Sequence, residues 1–137
     1  MKKILLLLIL FSPFLILLLP SKQPEMLLLP SKNNKPNVYI FTSKHCPYSR
    51  RFREEFLPEL KRKFAGEVNF LDLDTATAQG SSLYSKAAPQ CMEQVGVPLL
   101  IAGNKCFTGY PYSIKEKSVD AINAALKANT QRKKTGK

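Results

Sequence analysis

Val38-Tyr39-Ile40-Phe41-Thr42-Ser43-Lys44-His45-Cys46-Pro47-Tyr48-Ser49 decides how this chain folds. Its first half is β-branched and aromatic, the composition of a buried strand. Pro47 suits the first turn of a helix, where its missing N–H is no loss. Phe52, Phe56, Leu60 and Phe64 then recur every four residues with Leu57 beside them, while Arg50, Arg51, Arg53, Glu54, Glu55, Lys61 and Arg62 fill the other face. That pattern is an amphipathic helix, which Pro58 should kink or split and Gly66 should end. Cys46 is thereby set at a strand-to-helix junction. Unpaired N–H groups and the positive end of the helix dipole favour the thiolate there, and the thiolate is the reactive form.

Residues 68–74 alternate imperfectly and read as a second strand. Residues 75–80 read as a polar connector, and 81–94 as a helix interrupted by Pro89. Val97 to Ala102 is a third strand, Gly103-Asn104 a turn, and Lys105 to Gly109 the returning fourth strand. Residues 114–126 close the domain as a helix whose apolar stripe is Val119, Ile122, Ala125 and Leu126. The expected order is β-α-β-α-β-β-α in an α/β domain spanning 38–128. The first two strands, joined through a helix, should run parallel with a right-handed crossover; the last two form a hairpin. The sheet is then four-stranded and mixed, with helices on both faces.

The two ends read differently. Met1-Lys2-Lys3 is a basic start, and Ile4 to Leu19 is a sixteen-residue run interrupted only by Ser12 and Pro13. No small-residue exit follows, so residues 1–20 read either as an uncleaved signal anchor or as a signal peptide cut at an atypical site. Both readings export the domain, to a periplasmic or other extracytoplasmic space. Leu17-Leu18-Leu19-Pro20-Ser21-Lys22 recurs as Leu27-Leu28-Leu29-Pro30-Ser31-Lys32, a local duplication within a linker assigned to 21–37. Formal charge is +11, yet residues 38–127 hold twelve Lys/Arg and nine Asp/Glu, a net of only +3. The surplus sits at the two chain ends. That distribution argues against a nucleic-acid partner, which needs a basic face on the folded domain, and residues 129–137 read as a solvated, disordered basic tail.

Three cysteines are an odd count for an exported domain. Cys91 and Cys106 flank Pro98 by seven and eight residues. Three readings stay open: a structural disulfide clamping the second helix to the hairpin, two unpaired core thiols, or a relay in which one of them resolves a mixed disulfide on Cys46. C-x-x-C spacing is absent, so a metal site is not expected; no cofactor is expected either. Ser49 stands at the right distance to hydrogen-bond the Cys46 sulfur and cannot itself resolve a disulfide. Lys44 and His45 either add positive potential beside the thiolate or are loop residues that tune it slightly.

This order, with a cysteine motif after the first strand and Val97-Pro98 opening the third, resembles the thioredoxin superfamily over residues 37–127. Cys46-Pro47-Tyr48-Ser49 is similar to the glutaredoxin active site with its second cysteine replaced by serine, as in monothiol glutaredoxins. Cys91 through Gly109 also resembles the thioredoxin-like domains that partner vitamin K epoxide reductase homologues. The chain departs from the pattern in two places. Tyr110-Pro111-Tyr112 stands where glutaredoxins carry their glutathione-holding Gly-Gly and Asp-Asp pattern, and His45 stands where a tryptophan often precedes the cysteine.

The resemblance implies a thioredoxin-like fold, a cis Val97–Pro98 bond, and a substrate surface formed by Tyr48, Val97 and Pro98. It implies thiol–disulfide exchange through Cys46, with protein thiols or disulfides as partners and a small thiol such as glutathione as a candidate co-substrate. The membrane is a further partner if the N-terminal segment is uncleaved. The alternative is a non-catalytic thioredoxin-fold binding module or chaperone.

Overall fold

The computed structural model describes residues 28–91, 96–110 and 112–136. The apolar run, the first copy of the duplicated hexapeptide and the 92–94 end of the second expected helix lie outside the described residues.

Asn37–Thr42 forms strand β1, and all six of its residues are buried. A strand this apolar is stable only when both faces are covered and both edges are paired. Asn69–Asp74, strand β2, runs parallel to it, from Asn37 opposite Asn69 to Thr42 opposite Asp74. Leu99–Ala102, strand β3, runs antiparallel on the other edge, from Val38 opposite Ala102 to Phe41 opposite Leu99. Lys105–Thr108, strand β4, pairs antiparallel with β3. The sheet is four-stranded and mixed, in the order β2-β1-β3-β4.

Alternation along β1 divides the core in two. Val38 and Ile40 face a cluster with Phe52, Phe56, Leu60, Phe64 and Ile122. Tyr39 and Phe41 face the other side with Leu83, Ala87 and Cys91. The first and last helical segments therefore cover one face and the middle one covers the other. The first segment is split ahead of Pro58. It runs as α1, Pro47–Arg51, then a π turn, Phe52–Phe56, then α2, Leu57–Lys63. Leu57 N–H reaches back five residues to the Phe52 carbonyl, and Pro58, next in line, has no N–H to give.

Two sequence expectations are corrected. Helix α3 spans Ala78–Ala87 and starts three residues before the expected 81. The polar run ahead of it holds the cap: Thr77 Oγ1 accepts the Gly80 N–H at 3.0 Å and donates to the Asp74 carbonyl at 2.8 Å. Gly80 looks like a breaker, yet a Cβ there would fall 2.0 Å from the Asp74 carbonyl oxygen. Its absence lets the helix start against the end of β2. A 3-10 turn, Ala88–Cys91, then follows at Pro89.

The second correction is at the C-terminus. Helix α4 spans Tyr112–Thr135, so residues 129–135 are helical rather than a disordered tail. Its last turns mix Ala, Gln, Arg and Lys, which favour helix, with Asn129, Thr130 and Thr135, and place Arg132, Lys133 and Lys134 at the negative end of the dipole. Of the linker assigned to 21–37, residues 28–36 form an arm that is exposed over 30–34 and touches the domain at its two ends. Leu28 and Leu29 lie on the second core cluster. Leu29 N–H donates to the Tyr39 hydroxyl at 3.0 Å, and Asn37 Nδ2 donates to the Leu29 carbonyl at 3.0 Å.

Cys91 and Cys106 are joined, with Cα atoms 5.7 Å apart, inside the usual bridging range. Of the three readings left open, the clamp between the second helical segment and the hairpin is the one realised. The bond closes a loop of 15 residues, which the loop-entropy relation values at about 3 kcal/mol. A Cys91→Ala/Cys106→Ala variant is therefore expected to lose about 3 kcal/mol in urea unfolding, and reduction of the unaltered protein should cost the same. An unchanged midpoint would show that this loop does not constrain the unfolded chain.

Candidate functional site

β1 ends at Thr42, and the chain turns over Ser43–Cys46 into α1. Cys46 N–H donates to the Ser43 carbonyl at 3.1 Å, closing the turn. Cys46 is extended, with φ −95° and ψ 119°, and occupies the position just before the helix; its own carbonyl accepts the Arg50 N–H at 3.1 Å. It is the free cysteine of the described residues and is half-buried.

Behind it lies Ser49, fully buried in the first helical turn. Its hydroxyl accepts the Ser43 N–H at 3.2 Å. The Cys46 thiol is held below its ordinary pKa, first by the Ser49 backbone N–H, then by the Ser49 hydroxyl and the Tyr48 N–H, with burial opposing them. No regular side-chain hydrogen bond caps the helix through Cys46; the effect is that of aligned N–H dipoles at a helix start.

The facing wall is the entry to β3. Val97–Pro98 is a cis peptide, and the Cys46 thiol donates to the Val97 carbonyl at 3.4 Å across 51 residues of sequence. Two anchors hold this wall. The Tyr84 hydroxyl, on α3, accepts the Gly96 N–H at 2.9 Å and donates to the Gly96 carbonyl at 3.3 Å. Gly109 N–H donates to the Pro98 carbonyl at 2.9 Å. Gly96 has φ +128°, and a Cβ there would lie 3.2 Å from the Thr108 methyl, so the backbone here takes a form that side chains disfavour.

Tyr110, just past the end of β4, packs on the first helical segment. Its ring meets Phe52 edge-on at 6.2 Å, and its hydroxyl donates to Glu55 at 2.8 Å. Burial and that carboxylate push its pKa up to about 12, so it remains a neutral donor at ordinary pH.

The fold brings Cys46, Ser49 and Val97 together. Tyr48 stands beside them as the large apolar side chain left exposed, at 60%. Lys44 and His45 are exposed in the turn; the His45 contribution is its backbone N–H, donated to Ser43 Oγ at 3.3 Å. Cys91 and Cys106 are occupied with each other. Sequence reasoning missed the roles of Ser43 and Tyr84. Each acts through a contact across the fold or through its backbone, and no local pattern announces it. No group of His, Cys, Asp and Glu that could hold a metal occurs among the described residues. No helix among them is long and apolar enough to cross a membrane. Neither a family model nor a curated protein sequence matches the chain.

The lowered thiol should be visible in kinetics. The rate of Cys46 alkylation by iodoacetamide is expected to rise with pH through a midpoint below that of an unperturbed cysteine, because the thiolate alone reacts. Ser49→Ala removes a donor to the sulfur and should move that midpoint upward. It also strands the Ser43 N–H, at a cost of about 1–2 kcal/mol in stability. A midpoint unmoved by Ser49→Ala would exclude the serine from the thiol's environment.

Proposed function

We propose that this chain is an exported thiol–disulfide exchange protein of thioredoxin-like fold, acting through Cys46 alone. The observation that carries the reading is a free thiol at a helix start, its pKa lowered by Ser49, facing the Val97 carbonyl at 3.4 Å. The mixed four-stranded sheet with helices on both faces is compatible with that fold. Export is supported by the apolar run 4–19 and by the Cys91–Cys106 disulfide, a bond that persists in oxidising compartments.

The chemistry is an exchange. The Cys46 thiolate attacks one sulfur of a disulfide. The S–S bond breaks, its other sulfur leaves as a thiolate, and a Cys46 mixed disulfide forms. With three cysteines in the chain and two of them joined, the resolving thiolate comes from outside. Two small thiols such as glutathione can act in turn: the first attacks the Cys46 sulfur and releases the client's second thiolate, and the second attacks the small-thiol sulfur now on Cys46, leaving as the small-thiol disulfide and returning Cys46 as a thiolate. The client is then reduced and the two small thiols oxidised. Alternatively a second cysteine of the client attacks the client sulfur of the mixed disulfide and releases the Cys46 thiolate, and client disulfides are rearranged with no net change. Tyr48 offers a client apolar contact, and the Val97 backbone offers an extended segment a hydrogen-bonding edge.

The test is Ser49→Cys. A thiol at 49 replaces the external resolver with an adjacent one, so reductase turnover on a peptide disulfide with an added dithiol donor should rise by about tenfold or more. Stability should fall by only about 1 kcal/mol, since sulfur accepts the Ser43 N–H less well. The unaltered protein should form a mixed disulfide with the same peptide, located at Cys46 by mass spectrometry and absent in Cys46→Ser. A chain that retains clients without exchanging them, with or without the added thiol, would instead be a binding module.

A further inference from the structure

Read along the chain, the cationic surplus sits at two distant ends. The fold joins those ends. The arm carrying Lys32 and Lys35 crosses the pole of the domain where β1 and β2 begin, and Asn69 Nδ2 donates to the Lys32 carbonyl at 2.9 Å. The same arm meets the last turns of α4, where Asn129 Nδ2 donates to the Asn34 carbonyl at 2.8 Å across 95 residues. From Thr130 to the end of α4 every described residue is exposed, Lys133 and Lys134 among them, and Lys127 lies nearly two turns before Lys133. α2 ends at this pole as well, with Lys63.

Neither the arm, 28–36, nor the chain from Ala121 onward contains an Asp or Glu; Lys63 shares a groove with Glu59, Glu116 and Asp120, so the cations that count are Lys32, Lys35, Lys127, Lys133 and Lys134, with Glu67 between α2 and β2. None of these five lysines makes an ion pair among the described residues. A nearly unopposed basic surface is thus assembled from parts that look like unrelated tails in the sequence.

We propose that this pole docks on the headgroups of an anionic lipid leaflet. The reason for lipid over another polyanion is the chain itself. The apolar run ends at Leu19, and the docked arm is described from Leu28, with eight residues between them. Eight residues span at most about 30 Å when fully extended. Once the run is in a bilayer, the basic pole cannot leave the surface by more than that distance. Each cation close to an anionic surface then strengthens attachment about fivefold at moderate salt. Cys46 leaves β1 at the opposite end, six residues or about 20 Å away, so docking turns the thiol outward, away from the lipid. The proposal is independent of the reading of Cys46.

The test uses the full chain reconstituted through its apolar run into vesicles of phosphatidylcholine alone or mixed with phosphatidylglycerol. Amide hydrogen exchange over 127–135 is expected to be at least about fivefold slower on the anionic vesicles. The difference should vanish as salt rises from about 0.05 to about 0.5 M. It should vanish also in Lys127→Gln/Lys133→Gln/Lys134→Gln; this variant's exchange on neutral vesicles corrects for any fraying of the helix. Equal exchange on the two vesicle types, or slowing that survives the three substitutions, overturns the proposal. So does protection by a duplex DNA oligonucleotide at least as strong as that by the anionic vesicles, which would identify a nucleic acid as the partner.

Discussion

β1 is the constraint on which the rest of the structure depends. All six of its residues are buried, so each backbone polar group must be paired and each side chain must meet a helix. β2 and β3 supply the pairing. The split α1–α2 rod and α4 cover Val38 and Ile40, and α3 covers Tyr39 and Phe41. The site follows from the same constraint. A central parallel strand delivers its chain to a helix start at its C-terminal end, and the neighbouring antiparallel strand begins beside that end. Cys46 and Val97 meet because β1 and β3 are paired in the register Phe41 to Leu99.

Two opposing influences act on the Cys46 sulfur. Burial and the Val97 carbonyl, which accepts the thiol proton at 3.4 Å, favour the protonated form. The N–H groups of Ser49 and Tyr48 and the Ser49 hydroxyl favour the thiolate, and together they prevail. Because the folded chain holds this thiol below its unfolded value, ionisation adds to stability at pH above the unfolded value. That increment is lost as pH falls through the folded one. Ser49 can serve only because its hydroxyl is fixed at the back by the Ser43 N–H. A hydroxyl free to rotate would share its proton among several acceptors. The serine of the motif thus has a positive role in the thiol's environment as well as lacking a resolving sulfur.

What was legible in the sequence was local. The apolar density of β1, the four-residue spacing of Phe52, Phe56, Leu60 and Phe64, Pro58 as a split and Gly103-Asn104 as a turn all act between near neighbours. The four-stranded mixed sheet follows from them, and so does the thiol at the head of α1. What was not legible depends on contacts between distant residues. The start of α3 turns on Gly80 lying against the Asp74 carbonyl. The order in the arm comes from Tyr39 and Asn37 gripping Leu29. The Val97 wall is held by Tyr84 through a glycine 12 residues on. Residues 129–137 read as a tail because composition reveals charge and polarity but not a partner, and Asn34 is that partner for Asn129.

The disulfide shapes the chemistry more than its place in the fold suggests. Cys91 is buried on one layer and Cys106 lies on an edge strand of the sheet, so joining them ties α3 to the hairpin that carries the Val97 wall. The same bond withdraws two of the three sulfurs from exchange. A protein with a thiolate and no internal resolver cannot close an exchange cycle by itself. The lifetime of its mixed disulfide is set by whichever thiol the compartment or the client supplies. Slow release is a defect in a reductase, whose turnover depends on it. It is useful in a protein that must hold a client while the client's own cysteines find their partners, because the rate-limiting attack then comes from the client. On the proposed reading of Cys46, the pairing of Cys91 with Cys106 and the serine at 49 would favour rearrangement of client disulfides over their net reduction wherever small thiols are scarce.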